Sequence, residues 1–185
     1  MKFKQKEIWT IGHSTRTLEY FVQMLHSFEI KMLVDIRSFP GSKRHPHFNK
    51  ENLVVTIPQN DISYVHLKSL GGRRQVKKDS KNTAWKHPAF RGYADYMETE
   101  SFRVALESLL REANEEQTAI MCSESLWWRC HRRLISDAVV LLHNIDVHHL
   151  FHTGKLVKHI PTQGVRVLDA HRLRYDVTDN DSSDR

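Results

Sequence analysis

The sequence has few cysteines and no long apolar segment. These two absences argue against a disulfide-rich protein and against a membrane-spanning one. Its 185 residues include only two cysteines, Cys122 and Cys130, which argues against a disulfide framework and favours a reducing compartment. No apolar run approaches the roughly 18 to 20 residues that a membrane-spanning helix needs. The first ten residues contain basic side chains but no apolar core, so they do not resemble a secretory signal. We therefore expect a cytoplasmic protein with no membrane partner.

Common phosphate-binding and metal-binding motifs are missing as well. The sequence contains neither a glycine-rich Walker loop nor a dinucleotide-binding fingerprint. Cys122 and Arg129 are spaced too far apart for the loop of a cysteine phosphatase. A zinc site made from Cys122, Cys130, His131 or His13 would match no common structural spacing, and adjacent residues of a helix point in different directions. We therefore predict no metal and no cofactor.

The charge balance is basic. The chain carries a formal net charge of +6 at pH 7, and its 13 histidines are not counted in that value. A cationic surface favours anionic partners, such as nucleic acids, nucleotides and phosphorylated metabolites. Many soluble proteins are basic without binding nucleic acid, so the charge alone does not identify the partner.

Short apolar runs alternate with segments of helical periodicity along most of the chain. The runs predict strands over residues 8–11, 32–36, 62–67, 118–122 and 147–151, with a last edge strand over 165–168. Helices with an apolar stripe are predicted after Thr17, from Pro88, from Ser101 and from near Cys130. This alternation predicts an α/β, three-layer Rossmann-like fold with a mostly parallel sheet.

The chain is predicted to form one α/β domain over residues 1–175. Two irregular loops, over residues 40–50 and 68–87, are rich in basic residues and follow predicted strands. Residues 176–185 are polar and acidic, and we expect them to form a disordered tail.

Polar residues follow four of the predicted strands, whereas the strands themselves are apolar. Ligands of an open parallel sheet bind outside the carboxyl ends of its strands, so we predict one active site there. The candidate catalytic residues are His13, Asp35, Cys122 and Glu124. The candidate substrate-binding residues are Ser14, Arg37, Ser38, Gly71, Gly72, Arg73, Cys130, His131 and Arg132. Structural roles are the alternative for some of these residues: an ion pair for Asp35 and Arg37, and a simple turn for Gly71.

Glu124 is the leading candidate for the chemistry. It follows a buried strand and precedes a helix start that bears Arg132, so burial and a nearby cation compete to set its pKa. His131 and Arg132 are expected in the first helical turn, whose free N–H groups favour an anion. They would therefore bind a phosphate or carboxylate, or hold Glu124 in place.

The same segments resemble those of domain-of-unknown-function family 488, a bacterial and archaeal family. The resemblance rests on residues 10–14 (TIGHS), 34–38 (VDIRS) with Pro40, 70–72 (LGG), 93–97 (YADYM), 121–124 (MCSE) and 130–135 (CHRRLI). It extends from about residue 9 to about residue 142 and departs from the family pattern at Trp127 and Trp128, where smaller residues or a proline are expected. The resemblance implies an α/β fold and a single site built from these motifs, but no particular reaction.

We predict an enzyme that acts on a nucleotide or a nucleic acid. A carboxylate beside cations suits hydrolysis of an N-glycosidic bond, because the carboxylate stabilises an oxocarbenium-like centre or positions water. Glu124 would act as general base or nucleophile, with His13 and His131 as acid–base partners or substrate ligands. Asp35 would orient a substrate hydroxyl or a histidine, and Arg37 would hold an anion.

A nucleic-acid substrate would require a cationic rim and stacking surfaces. The rim is predicted from the two basic loops, which contain Lys43, Arg44, His45, His47, Arg73, Arg74, Lys77, Lys78 and Lys81. The candidate stacking side chains are Phe48, Trp85, Trp127 and Trp128, for which core packing is the competing explanation. Two other functions stay open: a non-catalytic module that binds nucleic acid or an anionic ligand, and an enzyme that uses Cys122 or Cys130.

Overall fold

A six-stranded sheet forms the centre of the computed structural model, which describes residues 7–151 and 154–177. The strands are β1 (Glu7–Gly12), β2 (Met32–Asp35), β3 (Ser63–His66), β4 (Thr118–Cys122), β5 (Asp146–Leu150) and β6 (Leu156–Lys158). They lie in the order β3-β2-β4-β1-β5-β6. Every neighbouring pair is parallel except β5 and β6, which are antiparallel. The predicted α/β fold with a mostly parallel sheet is confirmed.

Helices cover both faces of the sheet. Those in the described ranges are α1 (Leu18–Ser27), α2 (Lys50–Thr56), α3 (Pro88–Met97), α4 (Glu100–Glu115) and α5 (Arg132–His143). One apolar cluster includes Phe21 of α1 and Leu53 of α2, and the other includes Tyr93, Leu109 and Leu134 from α3, α4 and α5. Strands buried on both faces explain the apolar runs in the sequence. None of these helices is long and apolar enough to cross a membrane.

Two helices begin at different residues from those predicted. Thr17 caps α1 as expected, because its side chain accepts a hydrogen bond from the Tyr20 N–H at 3.2 Å. The cap of α4 is Thr99, which accepts from the N–H of Phe102 at 3.3 Å, and Ser101 lies inside the helix. Cys130 precedes α5 because its backbone is extended, with φ −126° and ψ 151°.

The carboxyl-terminal strand does not join the main sheet, which corrects its prediction as an edge strand. Instead β7 (Val165–Asp169) and β8 (Arg172–Tyr175) form a separate antiparallel pair. The physical reason is burial, since Leu173 and Tyr175 of β8 belong to the apolar cluster that the helices share. The tail was predicted to begin at residue 176, but Asp176 pairs with Arg166 at 2.6 Å. Residues 178–185 of that tail lie outside the described residues.

The irregular loop over residues 68–87 is anchored by one buried carboxylate. Asp95 of α3 accepts hydrogen bonds from the Lys77 N–H at 2.9 Å, the Ser80 hydroxyl at 2.7 Å and the Asn82 amide at 2.9 Å. A buried carboxylate with several donors is a strong local constraint. The loop therefore has a fixed path although it contains little regular structure.

Candidate functional site

A cavity of about 650 Å³ lies where β1, β2 and β4 end. Neighbouring parallel strands end on the same side of a sheet, so the residues after each strand converge there. The lining residues are His13, Ser14, Thr15, Arg37, Ser38, Phe39, Gly41, Ser42, Arg44, His45, Gly72, Arg73, Cys122, Ser123, Glu124, Ser125 and His131. Four predicted site residues lie outside this lining, namely Asp35, Gly71, Cys130 and Arg132.

Arg37 connects the ends of β1 and β2 through buried polar contacts. Its guanidinium donates to both carboxylate oxygens of Asp35, from Nε to Oδ1 at 2.9 Å and from Nη2 to Oδ2 at 2.7 Å. Nη1 donates to Nε2 of His13 at 3.2 Å, and the Tyr64 hydroxyl donates to Asp35 at 2.7 Å. Asp35 therefore orients Arg37 from a fully buried position. The ion pair with Arg37, which the sequence offered as the alternative to catalysis, is therefore present, and Asp35 lies outside the cavity lining.

His13 is a neutral hydrogen-bond acceptor in this arrangement. Its Nδ1–H donates to the Ser14 carbonyl at 2.9 Å, so Nε2 accepts from Arg37. Burial, together with the charge of Arg37, lowers the pKa of His13 to about 4. The imidazole also stacks on Phe48, with the ring centroids 4.3 Å apart. Because both ring nitrogens are engaged, His13 suits a role in holding Arg37 at the cavity wall better than proton transfer.

Glu124 follows β4 and reaches the cavity. Its Oε1 accepts a hydrogen bond from the Leu126 N–H at 3.1 Å and a weaker one from the Ser125 hydroxyl at 3.4 Å. Its backbone carbonyl accepts from the guanidinium of Arg132. Within the described part of the chain, Oε2 has no hydrogen-bond partner. The backbone of Glu124 is thus fixed while one carboxylate oxygen is available to a ligand.

Arg132 lies outside the cavity lining and holds the backbone of Glu124, which is the alternative to anion binding that the sequence left open. It is fully buried and donates to the Thr10 hydroxyl at 3.2 Å and to the backbone carbonyls of Glu124 and Ser125. The first residue of α5 therefore contacts the backbone that follows β4 instead of the cavity. Its charge is stabilised by carbonyl dipoles, and its effect on the site is to hold Glu124.

A buried chain of hydrogen bonds continues from Arg132 to a second charged residue of α5. The Thr10 hydroxyl donates to Nδ1 of His149 at 2.7 Å, and Nε2 of His149 donates to Nδ1 of His159 at 2.9 Å. Nε2 of His159 then donates to Asp137 at 2.8 Å. Every donor in this chain meets an acceptor when both histidines are neutral. The chain separates the Arg132 cation from the Asp137 carboxylate, although both lie on one helix.

Comparison with known protein families identifies the domain. Residues 17–139 match the family described as domain of unknown function DUF488. The chain belongs to this family. The matched range contains the site residues from β2 onward but begins after His13 and Ser14. No curated protein and no solved structure matches the chain.

Cys122, Cys130 and His131 form a compact cluster beside the cavity of this DUF488 domain. Their potential ligand atoms all lie within 4.8 Å of one another, and Sγ of Cys130 is 3.6 Å from Nδ1 of His131. We expected Cys130 and His131 to diverge on a helix, and this is wrong. Both residues precede α5: Cys130 is extended, and His131 is the N-cap with φ −61° and ψ −11°. The change of backbone conformation between them directs the two side chains to one place.

The two cysteines of the cluster are free thiols of different acidity. A hydrogen bond with Cys130, together with burial, raises the pKa of Cys122 to about 12. Burial opposes ionisation of Cys130, but the hydrogen bond with Cys122 and the charge of Arg132 lower the pKa of Cys130 to about 6. Cys122 lines the cavity and Cys130 does not. The thiol that borders the cavity is therefore the less acidic one.

The glycine pair of the DUF488 domain makes room for two neighbouring side chains. A Cβ atom at Gly71 would lie 2.2 Å from Oγ of Ser38, so Gly71 packs against Ser38 outside the cavity lining. The Ser38 hydroxyl donates to the Gly72 carbonyl at 2.8 Å. A Cβ atom at Gly72 would lie 3.2 Å from Nδ1 of His131. Gly72 lines the cavity, where a substrate-binding residue is expected, whereas Gly71 packs against Ser38 and does not line it.

Only part of the predicted cationic rim borders the cavity, namely Arg44, His45 and Arg73. His47 donates to a backbone carbonyl at 2.9 Å, and the guanidinium of Arg74 lies 3.7 Å from the centroid of the Tyr96 ring. The exposed lysines of these loops lie outside the lining: Lys43, Lys77, Lys78 and Lys81. The part of the rim that borders the cavity therefore consists of two arginines and one histidine.

The predicted stacking residues are also placed away from the cavity, and most of them pack inside the domain. Phe48, Trp85 and Trp127 stack on His13, Phe90 and His149, with ring centroids 4.3, 4.9 and 4.1 Å apart. Trp128 is partly exposed but lies outside the lining. The aromatic side chain that borders the cavity is Phe39, which is 65% exposed. Core packing thus explains the buried aromatic candidates.

Sequence reasoning missed several residues that line the site, namely Thr15, Phe39, Gly41, Ser42 and Ser125. Phe39 had a usable signal, because an aromatic residue directly after a polar strand end is poorly placed for the core. Ser42 and Ser125 had none, since serine in a loop is common whether or not a ligand is near.

Proposed function

We propose that this DUF488 domain is a hydrolase that acts on a nucleic-acid strand and cleaves an N-glycosidic bond, with Glu124 as general base or nucleophile. The observation that carries the proposal is one shared cavity, lined by the carboxylate of Glu124 and by Arg37, Arg44 and Arg73. Arg44 and Arg73 suit phosphate oxygens, which arginine recognises through paired, charge-assisted hydrogen bonds, whereas Arg37 already donates to Asp35, His13 and Phe48 and keeps a single N–H for a ligand. The carboxylate would then act on the sugar of the nucleotide whose phosphates the arginines hold.

The hydrogen bonds of Glu124 suit this chemistry. Cleavage of a glycosidic bond develops oxocarbenium-like charge, which a carboxylate stabilises directly or by activating a water molecule. The N–H of Leu126 orients one oxygen of Glu124 at 3.1 Å, and the other oxygen is available to the substrate.

A second depression favours a strand over a single nucleotide. It has a volume of about 500 Å³ and shares Ser38, Phe39, Gly72 and Arg73 with the main cavity. Nζ of Lys68 and Cζ of Arg73 lie 5.5 and 5.4 Å from the centroid of the exposed Phe39 ring. An aromatic ring among cations is the arrangement that binds single strands, through base stacking and phosphate contacts. Phe39 would thus hold the nucleotide next to the one that reacts.

A cysteine-dependent enzyme is the competing catalytic hypothesis. Cys122 lines the cavity, but it is only 8% exposed and its pKa is raised to about 12 by its bond with Cys130 and by burial. A thiol must ionise to be a nucleophile. Glu124 needs no such activation and therefore fits the geometry better. Detection by mass spectrometry of a covalent intermediate on Cys122 would replace Glu124 as the catalytic group.

We also propose a cytoplasmic location. The chain has only two cysteines, too few for a disulfide framework, which favours a reducing compartment. Alkylation of both thiols in a freshly quenched cell extract, measured by mass spectrometry, would support this location, and an oxidised pair would contradict it.

The proposed activity can be tested by measuring base release. Single- and double-stranded DNA and RNA oligonucleotides, with natural, deaminated and alkylated bases, are incubated with the protein, and free bases are quantified by chromatography. The wild-type protein should release a base from at least one substrate. Glu124→Gln removes the charge but keeps the size, so it should lower the rate by about 100-fold or more. The matched control is Glu115→Gln, an exposed position at the end of α4, which should keep the wild-type rate.

Two outcomes would overturn parts of the proposal. Tight binding of a strand without release of any base would identify a non-catalytic nucleic-acid module. Base release that is equal in the Glu124→Gln and Glu115→Gln variants would remove Glu124 as the catalytic carboxylate.

A further inference from the structure

The cluster of Cys122, Cys130 and His131 has the dimensions of a metal site. In a tetrahedral zinc site, sulfur and nitrogen ligands lie about 2.3 and 2.0–2.1 Å from the ion, so neighbouring ligands are about 3.5–3.8 Å apart. The observed distance between Sγ of Cys130 and Nδ1 of His131 is 3.6 Å. All three ligand atoms lie within 4.8 Å of one another. Small side-chain rotations would bring the set to tetrahedral spacing.

Packing alone does not explain His131. Its Nε2 is buried and has no hydrogen-bond partner within the described ranges, while its polar contacts on the other side are to sulfur, with Sγ of Cys130 3.6 Å from Nδ1 and a further interaction with Cys122. Buried polar atoms in native proteins nearly always have a partner, and an exception points to a function or an absent group. The ring packs closely against Gly72, because a Cβ atom there would lie only 3.2 Å from Nδ1, so this glycine lets the imidazole occupy its position. The histidine is thus held beside two thiols without a conventional hydrogen bond.

We propose that Cys122, Cys130 and His131 bind one Zn²⁺ ion, or a similar thiophilic divalent cation. Two sulfur ligands and one imidazole suit such a cation and are poor ligands for Mg²⁺ or Ca²⁺. Cys122 and His131 line the cavity, so the fourth position of the ion faces the space where a substrate or water binds. Three protein ligands with one open position are typical of catalytic zinc sites.

The elements that carry the ligands are rigid. Cys122 is the last residue of β4, in register with Gly12 of β1, and its carbonyl accepts from the N–H of His13 at 2.9 Å. Cys130 and His131 lead directly into α5, which is held to the sheet by the buried contacts of Arg132. A preformed ligand set loses little freedom when it binds an ion, which favours affinity.

Metal binding can be measured without a substrate, so its failure is distinguishable from failure of the proposed hydrolase. The full chain without a histidine tag is stripped with a chelator under reducing conditions and titrated with Co²⁺, followed by Zn²⁺. Co²⁺ should give the thiolate-to-cobalt absorption and the visible bands of a tetrahedral site, with one ion bound per chain. Zn²⁺ should then displace Co²⁺ and raise the midpoint of thermal unfolding.

Variants identify the ligands. Cys122→Ser and His131→Gln should each weaken Zn²⁺ binding by about 100-fold or more, since even loss of an outer-shell partner costs 10- to 100-fold. His45→Gln is the matched control, because His45 lines the same cavity outside the cluster and should keep the wild-type affinity. Circular dichroism establishes that each variant is folded.

The inference is overturned by either of two results. One is the absence of thiolate-to-cobalt absorption in folded, reduced wild-type protein. The other is an unchanged affinity in both the Cys122→Ser and the His131→Gln variants, which would place the ion elsewhere. Should the buried Cys130→Ser variant not fold, the wild-type titration and these two variants still decide the question.

Discussion

Gly12 lies directly against the backbone of Glu124, and a Cβ atom on Gly12 would be 1.9 Å from the Glu124 carbonyl oxygen. Gly12 is in register with Cys122 at the ends of β1 and β4, so the chain that leaves β4 passes the end of β1 at close range. The same carbonyl accepts a hydrogen bond from Arg132. The position of the candidate catalytic carboxylate therefore depends on the absence of a side chain at residue 12.

Gly12→Ala should destabilise the domain and displace Glu124. The added methyl group overlaps a backbone atom that cannot rotate away, and such overpacking costs about 1–3 kcal/mol or more. Urea denaturation measures the change in free energy of unfolding. The control is Gly41→Ala, because a Cβ atom at Gly41 has no neighbour within 4 Å. Equal stability of the two variants would show that the Gly12 contact does not constrain the site.

Arg132→Lys should lower the free energy of unfolding by about 2–3 kcal/mol. A lysine cannot reach the Thr10 hydroxyl and the Glu124 carbonyl together, so one buried acceptor would be left unpaired. We expect a lower urea midpoint with an unchanged m-value. Arg129→Lys makes the same exchange at an exposed residue and should have little effect. A loss of ligand affinity without any loss of stability would instead return Arg132 to the role of an anion-binding residue.

The fold and the place of the site were predictable because both follow from local pattern. The buried runs at residues 32–36 and 118–122 specify strands, and parallel strands deliver the residues that follow them to one edge of the sheet. His13, Arg37 and Glu124 meet in one cavity for that reason. The family resemblance is confirmed over residues 17–139, which include the segments of Arg37 and Glu124 but not that of His13.

The orientation of individual charged side chains was not predictable from pattern. Asp35 is the last residue of β2, and Arg132 is the first residue of α5. Ligand-binding residues also occur at such positions. Both charged side chains are buried because several fixed hydrogen-bond partners lie nearby. These partners are Arg37 and Tyr64 for Asp35, and backbone carbonyls for Arg132. The direction of the Cys130 side chain was not predictable either. The helix α5 begins two residues later than expected, at Arg132, so Cys130 has an extended backbone.

His149 should make the stability of the domain depend on pH. Burial, followed by the influence of His159 and Arg132, lowers the pKa of His149 in the folded protein to about 2, whereas a histidine of the unfolded chain has a pKa of about 6.5. Below about pH 6.5 the unfolded chain binds a proton that the folded protein does not. Stability therefore falls as the pH decreases through this range, by up to about 1.4 kcal/mol per pH unit from this residue.

Urea unfolding at pH 7, 6 and 5 tests this expectation. His149→Asn should reduce the slope of unfolding free energy against pH by about 0.7 kcal/mol per unit between pH 7 and 6 and by about 1.2 kcal/mol per unit between pH 6 and 5, even if the variant is less stable at every pH. His171→Asn, at an exposed residue, should keep the wild-type slope. A wild-type slope in the His149→Asn variant would mean that His149 is protonated in the folded state, or that the hydrogen bonds from His149 through His159 to Asp137 are not formed.

Binding of single-stranded DNA should weaken steeply with salt if the arginines at the cavity contact phosphates. Each neutralised phosphate releases condensed counterions, so log K falls with log salt concentration by about 0.7 per contact on a single strand. Arg44 and Arg73 line the cavity and are the side chains expected to make these contacts. Fluorescence anisotropy of a labelled oligonucleotide at several salt concentrations gives the slope directly.

Arg44→Ala and Arg73→Ala should each weaken binding and make the slope less steep by about 0.7, because each removes one phosphate contact. Arg111→Ala removes an equal charge from the exposed surface of α4, outside the cavity lining. It should leave the slope unchanged, which separates local contacts from the effect of net charge. Equal changes in all three variants would mean that the strand is attracted only by the overall charge of the protein. A flat response in the wild-type protein would exclude nucleic acid as the ligand and favour a small anionic metabolite at the same arginines.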